Sequence, residues 1–208
     1  RSVSVQDAGA PVVTAPTNII VAAIDANGTA ATDVGITNFL AQATATDDVD
    51  GPITPVSNDA PNPFPLGLTT VTFSVLDQAG NEGSAQATVN ATDQTKPEVI
   101  LVGEGSITIN VGDSYTDQGA TAADNVDGDI TNGIQMTGIV DTTTVAIYTL
   151  TYTVKDAANN TAIPVTRSVS VQDAGAPVVT APTNIIVAAI DANGTAATDV
   201  GITNFLAQ

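Results

Sequence analysis

Three kinds of short acidic segment recur along the chain, and their side chains suit one chemistry. Asp7 sits in D-A-G-A-P, Asp47, Asp48 and Asp50 in A-T-D-D-V-D-G, and Asp77 with Asn81 in L-D-Q-A-G-N. The same order returns with Asp93 in T-D-Q-T-K-P, then Asp124, Asn125, Asp127 and Asp129 in A-D-N-V-D-G-D, then Asp156 with Asn160 in K-D-A-A-N-N. Every one of these residues offers oxygen. The chain has no Cys and no His, which excludes disulfides, thiol chemistry and any zinc site built on those residues. Hard oxygen donors alone select Ca2+ or Mg2+. Ca2+ is favoured, because it accepts about 6–8 oxygens in flexible geometry and so suits ligands drawn from separate loops. Two carboxylates held about 4 Å apart repel by roughly 4 kcal/mol at an effective dielectric near 20, a cost a cation removes. The number of carboxylates would support more than one ion per cluster. No segment fits the EF-hand loop, since its glycine comes too early and the terminal Glu is missing.

Composition agrees with this reading and narrows the partners. There are 22 acidic and 4 basic side chains among 208 residues, for a formal charge of -18. The acids are nearly all Asp, with Glu only at 82, 98 and 104. Asp is a turn residue and a metal ligand more than a helix residue. So negative a chain is a poor partner for nucleic acid or an anionic membrane. No apolar run is long enough to span a bilayer. Hydrophobic residues make up 43% and aromatics only 3%, which predicts an ordered but light core. Small domains with light cores often need a staple, and without Cys a metal is the obvious one.

Repeats set the architecture. Residues 1–42 recur letter for letter at 167–208, a period of 166. Within that unit a weaker repeat appears: 45–54 matches 122–131, 71–81 matches 150–160, and 90–99 matches 170–179. The unit is therefore two diverged copies of one domain of about 80 residues. Residues 1–7 read as the last strand of a preceding domain, 8–93 and 94–173 as two complete domains, and 174–208 as the incomplete opening of another. The segment is expected to come from a longer array, such as a periodic fibre. Asp173 marks a third junction whose acidic loops lie beyond Gln208, so that site is expected to be incomplete.

The elements that must position the acidic loops are strands. Val71, Phe73 and Val75 alternate with Thr and Ser, as do Tyr148, Leu150, Tyr152 and Val154 with Thr. Such period-2 patterns read as half-buried strands. With Gly and Pro every ten or so residues, the expected fold class is all-β, as tandem immunoglobulin-like β-sandwiches in a linear array. The expected strands are 12–15, 19–24, 35–43, 53–57, 69–76 and 85–91, then 98–102, 106–111, 113–121, 134–140, 146–155 and 162–171.

The ordered motifs of residues 8–93 resemble the hyalin repeat: Asp7 to Pro11, A-T-D-D-V-D-G at 45–51, and F-P-L-G-L-T-T-V-T-F-S-V-L-D-Q-A-G-N at 64–81. Residues 94–173 resemble a related bacterial immunoglobulin-like domain, through V-G-D-S-Y-T-D-Q-G-A-T-A-A-D-N-V-D-G-D-I-T at 111–131 and Y-T-L-T-Y-T-V-K-D-A-A-N-N at 148–160. The resemblance implies an extracellular or cell-surface location and a spacer or adhesive-stalk role in very large bacterial surface and biofilm proteins. Eukaryotic hyalin repeats usually carry cysteines, and their absence here points to a prokaryotic source.

In such a sandwich successive strands reverse direction. The loop between the second and third core strands, the loop before the last strand and the incoming linker then share one pole. For the first domain that pole gathers Asp7, Asp47, Asp48, Asp50, Asp77 and Asn81. For the second it gathers Asp93, Asp124, Asn125, Asp127, Asp129, Asp156 and Asn160. A cation shared by linker and loops would stiffen each junction. The expected function is a structural extender rigidified by calcium, with neighbouring repeats as its partners and lateral or end-to-end self-association open to it. The alternative is an extracellular carbohydrate- or protein-binding module. An enzyme is not expected, because the paired carboxylates lie in turn-like loops and substrate-positioning aromatic and basic residues are scarce.

Overall fold

Alternating apolar and hydroxyl side chains build two long antiparallel strand pairs, one at the centre of each half. β6 (Gly67–Leu76) pairs with β7 (Glu82–Thr92) over ten residues, burying Val71, Phe73, Ala87 and Val89 on one face. β13 (Ala146–Thr153) pairs with β14 (Val165–Gln172), burying Leu150, Tyr152, Val169 and Val171. The computed structural model describes residues 1–181 together with 186, 188, 189, 193, 194, 202 and 203. The chain divides into two units, Arg1–Gln172 and Asp173–Gln208. Most of the expected opening of a further domain at 174–208 lies outside the described residues.

Unit Arg1–Gln172 holds two β-sandwiches that follow one another in sequence. In the first, β1 (Val12–Thr14), β3 (Thr44–Asp47) and β4 (Gly51–Ile53) form one sheet. β2 (Ile19–Ala22), β7, β6 and β5 (Ser57–Asn58) form the other. In the second, the sheets are β8 (Glu98–Leu101), β10 (Ala120–Asp124) and β11 (Gly128–Asp129), and β9 (Ser106–Asn110), β14, β13 and β12 (Gln135–Thr137). The two topologies correspond strand for strand. Each has one parallel pair, β2 with β7 and β9 with β14, and the remaining pairs are antiparallel. The all-β, immunoglobulin-like expectation therefore holds.

The two cores differ. The first gathers Ile36, Phe39, Phe64, Phe73 and Val89, with Phe39 edge-on to Phe73 at 5.8 Å between centroids. The second gathers Leu150, Tyr152, Val154 and Ala162, with fully buried Arg167 beside them.

Two expected strands are corrected. Residues 35–43 are not a strand: Val34–Leu40 form helix α1. Asp33 caps it by accepting from the N–H groups of Gly35 and Ile36, and Ile36 and Phe39, three apart, face the core. The strand of that region is instead β3, which the sequence pattern had not marked. Residues 113–121 are largely irregular, because Asp113 accepts from the Asn110 N–H in a turn and Tyr115 and Asp117 turn inward toward Arg167. The strand begins only at Ala120, where pairing with Leu101 becomes available. The expected strand 53–57 is likewise split between β4 and β5. Residues 1–11 lie outside the strands, although the letters of residues 1–6 return at 167–172 in β14, flanked by β13 and β9.

Candidate metal centre

The pole of each sandwich is built on one tight loop. In residues 77–81 the Asp77 N–H donates to the Asn81 carbonyl at 3.1 Å, and the Gly80 N–H to the Asp77 carbonyl at 3.2 Å. In residues 156–160 the same two bonds measure 3.2 Å each. The turn needs a positive φ at its fourth residue, which Gly80 supplies at 92° and Asn159 at 70°. Gly and Asn are the residues that take this conformation at least cost.

That backbone fixes the central carboxylate. Asp77 Oδ1 accepts from the Asn81 N–H at 2.8 Å and Oδ2 from Asn81 Nδ2 at 2.7 Å. Asp156 does the same with Asn160 at 2.7 and 2.8 Å. The asparagines also reach the linker: Asn81 Nδ2 donates to the Asp7 carbonyl and Asn160 Nδ2 to the Asp93 carbonyl, both at 3.4 Å. Their amide hydrogens are thus engaged, and each asparagine orients its neighbouring carboxylate and ties the linker down. Burial raises the Asp77 carboxyl. The hydrogen bonds from Asn81, Gly80 and Ala79 together outweigh burial and hold it below its ordinary value, ready to be ionised.

The linker residues are turned the same way in both halves. Asp7 Oδ1 accepts from the Gly9 N–H at 2.9 Å, and Asp93 Oδ1 from the Thr95 N–H at 3.0 Å. In each case the other oxygen, Oδ2, is buried without a hydrogen-bond partner. A buried acceptor without a donor is costly and rare. Close packing holds the first linker in place, since a Cβ on Gly83 would fall 1.9 Å from the Pro11 carbonyl oxygen.

The third contribution comes from the loop after β3 or β10. Asp47 Oδ1 accepts from the N–H groups of Val49 and Asp50, and Asp124 Oδ2 from those of Val126 and Asp127. Asp50 Oδ2 accepts from the Gln78 N–H at 2.8 Å, and Asp127 Oδ2 from the Ala157 N–H at 2.7 Å, so both lash the two loops together. Carboxylate oxygens of Asp7, Asp47 and Asp77 lie within 4.8 Å of one another, as do those of Asp93, Asp127 and Asp156. The loop therefore offers Asp47 to the first grouping and, at a different loop position, Asp127 to the second. Asp124 Oδ1 and Asn125 Oδ1 are also buried and without donors. Burial raises the Asp93 carboxyl, and although the Thr95 N–H opposes this, the charges of Asp124, Asp156 and Asp127 raise it further. Negative charge is thus concentrated where it is poorly compensated.

Not every candidate joins these groupings. Asp48 is exposed. Asp129 is exposed on β11 and accepts from the Thr131 N–H of its own turn. Asn125 Nδ2 instead donates to the Ala23 carbonyl of the first sandwich at 3.1 Å. Ala23 escaped sequence reasoning because a backbone carbonyl leaves no signature in residue type. The converging oxygens and orphaned acceptors, with no ion pair to these carboxylates among the described residues, fit a hard cation.

Residues 6–91 match the HYR domain family, and residues 99–171 match the family described as bacterial surface protein, Ig-like domain. The chain is 33% identical over 192 residues to hyalin of Strongylocentrotus purpuratus, which covers 86% of this chain and 15% of that protein. It is 36% identical over 107 residues to hyalin of Lytechinus variegatus, covering 50% of this chain and 19% of that protein. The chain thus spans less than a fifth of the length of these relatives. Among solved structures, the lipoprotein BT2262 from Bacteroides thetaiotaomicron aligns at 30% identity and a TM-score of 0.35, over 39% of this chain and 40% of that one. Two consecutive segments of the chain are thus similar, in order, to a HYR domain and to a bacterial surface Ig-like domain.

Proposed function

We propose that this chain is a structural spacer from a secreted or cell-surface repetitive protein of prokaryotic origin, with Ca2+ at the Asp7 and Asp93 centres stiffening its junctions. The observation that carries the reading is the buried, donorless Oδ2 of Asp7 and of Asp93. Each belongs to a carboxylate grouped with two others, in two domains whose sequences have diverged. Two independent copies of one unsatisfied arrangement call for a common ligand, and only a cation satisfies both the orphaned oxygens and the charge. The family descriptions support a surface setting, and the letter-for-letter return of residues 1–42 at 167–208 supports an array of like units. Non-catalytic use follows from the same repetition, since spacing gains from copies of one unit.

A metal shared by linker and loops removes the repulsion that would otherwise splay them. Filled junctions resist bending, and emptied junctions leave a self-repelling, bendable chain. The test is calorimetric titration of the chelator-treated chain with Ca2+, combined with small-angle scattering in both states. Uptake at two classes of site and a longer, stiffer particle with Ca2+ are expected. Absence of uptake overturns the metal; uptake with unchanged scattering overturns the stiffening.

A further inference from the structure

The two poles are alike in their carboxylates but not in what rests on them. In the second sandwich the residue after Asp124 is Asn125, whose Nδ2 donates to the Ala23 carbonyl of the first sandwich. Only the amide –NH2 can face a carbonyl oxygen, so the orientation of this side chain is fixed by its partner. Ala23 is buried, and its own N–H donates to the Thr92 carbonyl at 2.8 Å. Thr92 is the residue before Asp93. The contact therefore completes a chain of links from one acidic segment to the other: Asp93 is bonded to Thr92, Thr92 to Ala23, Ala23 to Asn125, and Asn125 to Asp124. Two acceptors at its ends, Asp93 Oδ2 and Asp124 Oδ1, are among the buried oxygens without donors. Asp124 is 9% exposed.

We propose that Asn125 is an interdomain latch that couples docking of the second sandwich on the first to cation uptake at the Asp93 centre. The inference rests on the cation reading above. Docking through Asn125 holds Ala23 and Thr92, and with them the linker Asp93, against the loop that carries Asp124 and Asp127. A cation drawing Asp93 and Asp127 together joins the same two acidic segments from the other side. Each event then favours the other, as linkage requires. At the equivalent place the first sandwich has Asp48, an acceptor with no hydrogen to offer a carbonyl. Latch chemistry of this kind therefore belongs to the Asp93 junction, and the pole of the first sandwich lacks its counterpart.

The test uses the full chain in two backgrounds. Asp77→Asn disables the Asp7 centre and leaves the Asp93 centre to be titrated with Ca2+ alone, while Asp156→Asn does the reverse. Into each goes Asn125→Ala, with Asn125→Ser as a second variant too short to reach Ala23. Spin labels at Ser84→Cys and Gln135→Cys, in a chain with no native Cys, report the distance between the sandwiches. Loss of one hydrogen bond worth about 1 kcal/mol is expected to weaken Ca2+ binding roughly fivefold at the Asp93 centre. Binding at the Asp7 centre stays unchanged, and the label distances broaden before Ca2+ is added. Equal effects at both centres, or none at either, overturn the latch while leaving the cation reading standing. No uptake by the unsubstituted chain overturns the cation reading and the coupling together.

Discussion

At one place in the shared frame the two sandwiches are closed by opposite chemistries. Val71 lies opposite Ala87 in the first, and Leu150 lies opposite Arg167 at the matching position of the second. Two residues further along, Phe73 in one corresponds to Tyr152 in the other. Where alanine leaves room, helix α1 contributes Ile36 and Phe39 to the core. Where arginine fills it, no helix is needed, and a buried cation must be satisfied instead. Arg167 forms an ion pair with Asp117 and donates to the carbonyls of Glu104, Val102 and Gly119. Tyr152 donates its hydroxyl to Asp117 at 2.7 Å, and Tyr115 does so at 3.1 Å. Burial and Asp117 push the Tyr152 phenol up. The interior of this frame is thus replaceable, whereas the acidic pole is built the same way twice. The pole is therefore not a by-product of how the core packs.

The largest effect should break the second sandwich alone. Arg167→Ala removes the cation that pairs with Asp117 and the guanidinium donor of three carbonyls, and a broken, partly buried ion pair of this kind costs roughly 3 kcal/mol. Hydrogen exchange resolved by sandwich should show protection lost in residues 98–172 and kept in 12–92. Equal loss in both would show that the two cores are not independent.

Acid sharpens the contrast next. Burial raises the Asp117 carboxyl, but hydrogen bonds from Tyr152, Arg167, Tyr115 and Gly119 together hold it below its ordinary 3.8. A depressed carboxyl contributes stability in full above its unfolded value, and that contribution is lost as pH falls through its native value. Metal-free chain taken below pH of about 3.8 should therefore lose protection in the second sandwich as Asp117 is protonated, alongside the loss in the first sandwich that the lowered Asp77 carboxyl brings. Asp117→Asn should reduce the pH dependence of the second sandwich and leave the part carried by Asp129 and Asp141, whose carboxyls are held down by hydrogen bonds from Thr131 and from Thr143 and Thr144. The smallest effect belongs to the first sandwich: Asp33→Ala removes the cap of α1 and should cost about 1 kcal/mol, read as a small shift in its denaturation midpoint.

Much of this arrangement was legible in residue order, and the failures have physical reasons. The strand pairs β6–β7 and β13–β14 announced themselves because each buries one face, which forces alternation. The acidic poles were legible because the same spacing of Asp and Asn returned in both halves. Helix α1 was missed because Ile36 and Thr37 are β-branched and only seven residues are helical, too few for a period to emerge. Asn81 and Asn160 carry a further task that residue type did not announce: their amide hydrogens orient Asp77 and Asp156. The inward turn of Asp117 was not legible because the partners that draw it inward, Tyr152 and Arg167, lie 35 and 50 residues away.

The parallel pairing of β2 with β7, and of β9 with β14, bears on what happens under tension. In each sandwich an early strand lies alongside the final one and points the same way, over four residues in the first and five in the second. Pulling the chain by its two ends slides these strands past each other lengthwise. The load then falls on all the rungs at once, and they cannot be opened one at a time like a zip. A tether made of such units yields abruptly, at a force set by the whole patch.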